Sequence, residues 1–467
     1  MSSSETAPET YALIAHPTEP RVLLLPGDAG WTLLPVASDD VADVIPAVRA
    51  ALGLDVTVLA LIYERQPGRH IQGHAEPQGE RPQRVVAVEP HTTGWEPPAG
   101  ARWVRRAELA GQPLSMPEHR AVIATWLREI EDGAPPERVP WARPGWHNTA
   151  MAWVAEQLVR LDYAPTGPAE QVRVSIWSSV YCVPTDRGLL YFKAASPTFG
   201  FEPALTRTLA GLFPSFTPAV LAVDADRGWM LQADGGISQR DEIVERKRWD
   251  EIETYLPEFA ALQIAAVSHV DALLAAGCLD WRLGRLPALF DALVADEAVV
   301  CPGQEDGVPE HEYAQLHALG PEVRGMCAEL AAYGVPETLH NDDFYPGNVL
   351  VAPDGRYRFF DWAESAVTHP FCSMMIALRW ARLVIGCDDA TLDRLRDAYL
   401  EPWTRFALLP ALREAFALAH RLGYLTRALT YYQLLAGLEP RLRPEYAGVV
   451  PYWVRLFLHP DVDPDDA

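Results

Sequence analysis

PETLHNDDFYPGNVLVAPDGRYRFFDWAESAVTHPF, from Pro336 to Phe371, decides how the rest of the chain is read. Short apolar runs at Val349 to Val351 and Tyr357 to Phe360 read as two strands, turned at Pro353-Asp354-Gly355, residue types that favour chain reversal. Asp343 and Asn348 fall on the loop entering the first strand, and Asp361 at the exit of the second. A hairpin brings its open ends together, so the spacing predicts that these three side chains converge. Asn348 and Asp361 are hard-oxygen ligands suited to a magnesium ion (Mg2+) carried in on nucleotide phosphates. A carboxylate beside them, Asp343, suits the orientation of an attacking hydroxyl. Asp and Asn also favour turns for purely local reasons, but three such groups at this spacing on one hairpin weigh against that plainer reading. A transition-metal site at His340 and Asp342 finds no further His or Cys ligands at site spacing.

The pattern Asp343-x4-Asn348, a strand, then Asp361-Trp362 with Pro370 beyond, resembles the catalytic centre of the aminoglycoside phosphotransferase family, whose fold is that of protein kinases. The resemblance implies Asp343 as catalytic base or orienter, Asn348 and Asp361 as magnesium ligands, and Pro370 in the turn after the metal-binding strand. It also implies ATP or GTP as phosphate donor and a hydroxylated small molecule as acceptor. In one place the chain departs from the pattern. The family usually has His two residues before the catalytic Asp, where this chain has Asn341, so the brace of the loop is expected to differ.

A chain of 467 residues exceeds one ordinary core and implies two or three domains. A formal charge of -24 argues against nucleic acid or an anionic membrane surface as partner. Cationic or neutral small substrates fit better, although an acidic surface also serves solubility alone. Six cysteines without C-x-x-C spacing, and no stretch at the start resembling a signal peptide, read as free thiols in a cytoplasmic protein. No apolar run reaches membrane-spanning length; the best, Met374 to Ile385, is interrupted by Arg379 and Arg382. Oligomeric state is not legible.

From the N-terminus, strands are expected at Tyr11 to Ala15, Arg21 to Leu25, Val56 to Tyr63 and Val85 to Val88, with a helix from Val41 to Leu52. Strands around a helix closed by Gly53-Leu54 resemble the Nudix hydrolase fold. The three glutamate positions that make a Nudix enzyme are alanines (Ala47, Ala50 and Ala51), so hydrolysis by this segment is not expected. A lid or packing module, or a ligand sensor, remains; residual hydrolysis would need other acids, such as Asp39, Asp40 or Asp43. A helix from Pro117 to Ile130 closes this domain, and four prolines in Glu131 to Trp146 predict a semi-rigid spacer.

A helix from His147 leads into strands Val172 to Tyr181 and Leu189 to Phe192, with Lys193 at the end of the second and Glu202 opening the next helix. A strand lysine and a helix acid are what a kinase-like N-lobe uses on nucleotide phosphates, and the resemblance carries those roles to Lys193 and Glu202. The plainer reading is two solvated surface charges. No G-x-G-x-x-G is present. Ser175 to Val180 stands in its place, with Ser178 and Ser179 as phosphate-approaching residues, or as an ordinary hairpin bend around a packed Trp177. A hairpin at Val220 to Gln232 exits through Gln232 and Ala233, which match the family's adenine-holding hinge. Helices then dominate: Tyr255 to Ala276, Leu283 to Ala295, Glu312 to Tyr333, Ser373 to Ile385, Ala390 to Phe406 and Leu412 to Leu435. Glu364, Asp388, Asp389, Asp393 and Glu401 lie where the family places acceptor-binding acids, or are caps and solvated charges.

The expected class is α+β: a bilobal protein-kinase-like domain with an antiparallel-sheet N-lobe (147–236) and a helical C-lobe carrying the catalytic loop (237–458). A degenerate Nudix-like α/β domain (11–130) and the Pro-rich linker (131–146) precede it, with tails at 1–10 and 459–467 expected to be disordered. The expected function is transfer of a nucleotide γ-phosphate to a hydroxyl of an antibiotic-like (aminoglycoside-type) or metabolite acceptor. The alternatives are a sugar or amino-alcohol metabolic kinase and a noncatalytic nucleotide or metabolite sensor.

Overall fold

The computed structural model describes residues 9–36, 43–65, 83–92 and 94–460. Residues 1–8, 37–42 (with Asp39 and Asp40 among them), 66–82, 93 and 461–467 lie outside the described residues. The chain divides into two compact units, one ending at Ser196 and one beginning at Pro197.

The first unit opens with β1 (Glu9–Ile14), β2 (Val22–Gly27), β3 (Gly30–Thr32), β4 (Leu34–Val36), α1 (Val44–Leu52), β5 (Val56–Arg65), β6 (Gln83–Pro90), β7 (Arg102–Val104), α2 (Arg106–Leu109) and α3 (His119–Asp132). One sheet runs β4-β1-β6-β5, with β1 and β6 parallel, and a smaller one runs β3-β2-β7. Side chains alternate across a strand, so two cores form on its two faces. Leu13, Val85 and Ala87 pack with Leu24, Trp126 and Leu127, under α3. Ala12, Ile14, Val86 and Val88 pack with Val44 and Val48, under α1. Gly53 ends α1 at φ 62, its N–H on the Arg49 carbonyl, a left-handed cap that glycine adopts without steric cost.

The stretch 131–146, expected as a spacer, is packed instead. Trp141 and Arg138 are buried, Arg138 pairs with Glu129 at 2.7 Å, and Trp141 donates its indole N–H to the Ser175 carbonyl. Next come α4 (Trp146–Arg160), β8 (Glu170–Val174), β9 (Ser178–Thr185) and β10 (Gly188–Ala195). The last two form a regular antiparallel ladder turned at Thr185 to Gly188.

The second unit carries α5 (Glu202–Leu212), β11 (Val220–Asp224), β12 (Trp229–Ala233), β13 (Ile237–Ser238), α6 (Arg240–Arg246), α7 (Trp249–Ala266), α8 (Val270–Ala275), β14 (Leu279–Asp280), α9 (Leu286–Ala295) and α10 (Glu297–Val300). It continues with α11 (Glu310–Ala318), α12 (Gly320–Ala332), β15 (Thr338–Asn341), β16 (Val349–Val351), β17 (Tyr357–Phe359), β18 (Ser365–Thr368), α13 (Met374–Trp380), α14 (Asp389–Leu400), α15 (Leu409–Gly437) and α16 (Val449–Leu458). Small sheets β13-β16-β17 and β14-β18-β15 sit among these helices.

Two helix expectations change. Glu312 to Tyr333 is two helices, because Pro321 near the start of α12 lacks the N–H a continuing helix needs. The stretch Trp249–Ala275 is long and apolar enough to cross a membrane by length and composition, contrary to the expectation of no such run. Its interior carries Gln263, buried, donating to the Leu339 carbonyl at 2.9 Å and receiving the Tyr399 hydroxyl.

Candidate active site

β15 and β18 pair antiparallel, with Asn341 opposite Ser365, and β16 and β17 pair from Val349 opposite Phe359 to Val351 opposite Tyr357. This register brings the loop after β15 together with the residues after β17. The Asn348 amide donates to the Asp343 carbonyl at 2.8 Å and to its Oδ2 at 3.1 Å. Asn341 closes the triangle: its Nδ2 donates to the Asp361 carbonyl at 3.1 Å, and its Oδ1 accepts the Asp343 N–H at 2.9 Å. The brace expected to differ because His is absent is therefore made by an amide. Asp361 has φ 62, a conformation uncommon outside glycine and concentrated where function demands strain.

The two adjacent acids have opposite environments. Asp342 is buried and accepts from Thr426 at 2.8 Å and Thr430 at 2.7 Å, with His340 Nε2 at 3.1 Å and Arg427 at 3.5 Å. Burial opposes ionisation of Asp342, but the hydrogen bond and charge of His340, together with Arg427, hold its carboxyl below the ordinary range. Asp342 thus tethers the loop to α15. His340 also meets the Ser373 hydroxyl at 2.9 Å, so this pair is a hydrogen-bonded brace. The Asp343 side chain is 29% exposed against 1% for Asp342, so of the two carboxylates it is the one an outside hydroxyl can reach. Burial and the charge of Asp361 push Asp343 upward, against the pull of Arg427.

Arg427, on α15, is the residue the sequence reading missed. Its guanidinium donates to Asp343 Oδ1 at 3.3 Å, to the Asp342 carbonyl at 3.2 Å and to Glu364, and lies over the Tyr431 ring at 5.0 Å. Burial among Asp343, Asp342 and Asp361 pushes Glu364 well up, against the pull of Arg427. The available signal was a polar set, Thr426, Arg427 and Thr430, on a stretch otherwise rich in Leu. Of the other acids considered, Asp388 caps α14 by accepting the Thr391 N–H at 2.9 Å.

A magnesium ion fits the donors present in one specific way. The Asn348 amide nitrogen is engaged by Asp343, which leaves the amide oxygen as the atom Asn348 would offer a metal, with an Asp361 carboxylate oxygen as the other donor. Among the described residues no group of three or more His, Cys, Asp or Glu is placed to hold a metal by itself. Two oxygen donors suit an ion that brings its remaining ligands with it as phosphate oxygens and water.

Lys193 lies within β10 opposite Val180 and is 8% exposed, and Glu202, the first residue of α5, is wholly buried. Neither is a solvated surface charge. At the β8–β9 turn the Ser175 hydroxyl accepts the N–H groups of Trp177 at 3.1 Å and Ser178 at 3.3 Å. Ser178 and Ser179 are buried, and the Gln171 amide donates to the Ser179 hydroxyl at 3.1 Å. Gln232 pairs with Val220, and the Ala233 N–H donates to the Ala219 carbonyl at 2.9 Å. The neighbouring Gly236, at φ 122, is needed where it stands because a Cβ would overlap the Val351 carbonyl.

No protein-family model matches the chain, and comparison with curated proteins finds no match. Among solved structures, a choline/ethanolamine kinase family protein from Mesorhizobium loti aligns at 17% identity and TM-score 0.46, covering 68% of this chain and 96% of the other. A choline kinase from Streptococcus pneumoniae aligns at 13% and 0.45, covering 66% and 99%. An aminoglycoside phosphotransferase from Streptomyces rimosus, solved with ADP and streptomycin, aligns at 21% and 0.36, covering 61% and 97%. Likenesses at such scores assign no function to this chain.

Proposed function

We propose that the chain is a small-molecule kinase with a protein-kinase-like bilobal domain, transferring the γ-phosphate of ATP or GTP to a hydroxyl of an aminoglycoside-like or metabolite acceptor. The observation that carries this reading is the pairing of a reachable carboxylate, Asp343, with the Asn348 amide and the strained Asp361 at one end of one hairpin. In the reaction the bond between the γ-phosphorus and the β–γ bridging oxygen breaks, and a bond from the acceptor oxygen to that phosphorus forms. The acceptor proton passes to Asp343, and the nucleoside diphosphate leaves with the bridging oxygen.

Magnesium, when bound at Asn348 and Asp361, would supply charge neutralisation for the phosphates. The chain's own contribution is positioning, which alone is worth several kcal/mol of barrier. Asn341 fixes the Asp343 backbone, Asn348 holds its carboxylate, and Asp342 fixes the loop on α15. Lys193 and Glu202 keep the phosphate-binding and lysine-orienting roles given by the motif resemblance, supported by their burial. Ser178, Ser179, Gln232 and Ala233 keep the nucleotide-contact roles that the resemblance implies, Ala233 through its carbonyl, because its N–H is donated to Ala219. The N-terminal layers are proposed as a Nudix-like module without hydrolase acids, in a cytoplasmic protein.

The test is a panel of hydroxylated antibiotics, sugars, amino alcohols and amino acids, incubated with ATP or GTP and magnesium and read by phosphate transfer. Transfer to one acceptor supports the reading. Tight nucleotide binding with no turnover on any acceptor, and no slow magnesium-dependent hydrolysis, favours the sensor instead.

A further inference from the structure

Arg427 reaches the site from α15, far along the sequence from the catalytic hairpin. We infer that Arg427, clamped by Glu364, is the positioning residue that sets the direction of the Asp343 carboxylate; this rests on the kinase reading above.

The geometry divides the Asp343 carboxylate between two holders. Oδ2 receives the Asn348 amide at 3.1 Å and Oδ1 receives the Arg427 guanidinium at 3.3 Å. With both oxygens engaged, rotation about the Cβ–Cγ bond is stopped, and the remaining lone pairs point in fixed directions. A carboxylate held by the amide alone could swing, because one hydrogen bond fixes distance but not the plane. Proximity effects fall off within about 1 Å of misplacement, so the second holder matters to rate more than to binding.

Arg427 is itself over-determined. It donates to Glu364 and to the Asp342 carbonyl at 3.2 Å, and Tyr431 lies under its plane at 5.0 Å. The flanking Thr426 and Thr430 pin the same helix to Asp342 at 2.8 and 2.7 Å. The side chain is 8% exposed, so it is preorganised rather than recruited by ligand. A planar fork can serve three acceptors at once, which an ammonium on a flexible stem cannot do in fixed geometry. Glu364 therefore acts through Arg427, and Arg427 through Asp343.

The experiment compares the full-length wild type with Arg427→Gln, Arg427→Lys and Glu364→Gln. It measures nucleotide Kd, acceptor KM and kcat for phosphate transfer, or for magnesium-dependent ATP hydrolysis while the acceptor is unknown, together with melting temperature. The inference expects Arg427→Gln to lower kcat about 30-fold or more with nucleotide Kd and acceptor KM within about threefold, the split that marks lost transition-state positioning. Arg427→Lys should recover part of that loss, and Glu364→Gln should lie between Arg427→Lys and wild type. Should Arg427→Gln not fold, Arg427→Lys decides, because it keeps the charge and loses the fork: at least about a fivefold fall in kcat is expected. Wild-type kcat in Arg427→Lys, or a kcat within threefold of wild type in folded Arg427→Gln, overturns the inference. A wild type that binds nucleotide without turning it over contradicts the kinase reading itself and is seen before any variant is compared.

Discussion

The side-chain amide of Asn341 donates to the backbone carbonyl of Asp361 at 3.1 Å. The same side chain accepts the Asp343 N–H at 2.9 Å, so one residue ties the loop after β15 to the residue after β17. Alanine at this position leaves both backbone groups without that partner. Asn341→Ala is expected to cost about 1–3 kcal/mol of stability and to lower kcat about tenfold or more, with nucleotide affinity little changed. Urea unfolding and steady-state transfer measure the two effects; a variant equal to wild type in both would remove Asn341 from the account.

Asp342 and Asp343 should separate stability from activity. Asp342 is surrounded by His340, Thr426, Thr430 and Arg427, and removal of one partner from a buried charged network costs about 3–5 kcal/mol. Asp342→Ala is expected to lose that much in chemical denaturation. Asp343→Asn keeps the shape of a more exposed side chain but sets an amide N–H against one of the two donors that hold the carboxylate, and is expected to lose less stability than Asp342→Ala while losing turnover.

Gly236 stands at φ 122, with the Val351 carbonyl where a Cβ would go. Gly236→Ala is expected to destabilise the second unit by about 1–3 kcal/mol or more, since strain and overlap add. Thermal unfolding with unchanged far-UV circular dichroism at low temperature is the check.

A pH test addresses the first unit. Burial pushes the Glu89 carboxyl up to about 7, against the pull of the Gly145 N–H. A carboxyl raised on folding favours the folded state most below its unfolded value, and that stabilisation is lost as pH rises through about 7. Burial, with the charge of nearby His91, lowers His147 to about 3; His147 therefore contributes fully above its unfolded value of 6.5 and loses its share as pH falls towards 3. Glu89→Gln should remove a loss of roughly 3 kcal/mol on the alkaline side and leave the acid side unchanged. Hydrogen exchange of β9 and α4 amides in the full chain at about pH 5, 7 and 9 reads this directly, and an unaltered alkaline profile in the variant would refute it.

How far the sequence carried the reading depended on range. The hairpin from Val349 to Phe359 and the convergence of Asp343, Asn348 and Asp361 follow from local alternation and turn chemistry, which act within a few residues. The proposed priority of Asp343 over Asp342 rested in the sequence on spacing alone; what separates their environments is that Thr426 and Thr430, 84 and 88 residues from Asp342, occupy the Asp342 carboxylate. Arg427 escaped notice because its only local signal, the polar set it forms with Thr426 and Thr430, does not tell a buried arginine from one that covers surface with its stem. The packing of 131–146 was illegible for a related reason. Proline fixes the backbone but says nothing of where Trp141 and Arg138 find partners.

The central claim is that Asp343 works on a hydroxyl during phosphate transfer, and its most direct measurement is magnesium-dependent turnover of ATP or GTP by wild type and Asp343→Asn, with nucleotide Kd determined in parallel. The account predicts turnover in the wild type, a fall of about 100-fold or more in Asp343→Asn, and equal nucleotide affinity. Turnover in Asp343→Asn within a few-fold of wild type would contradict it.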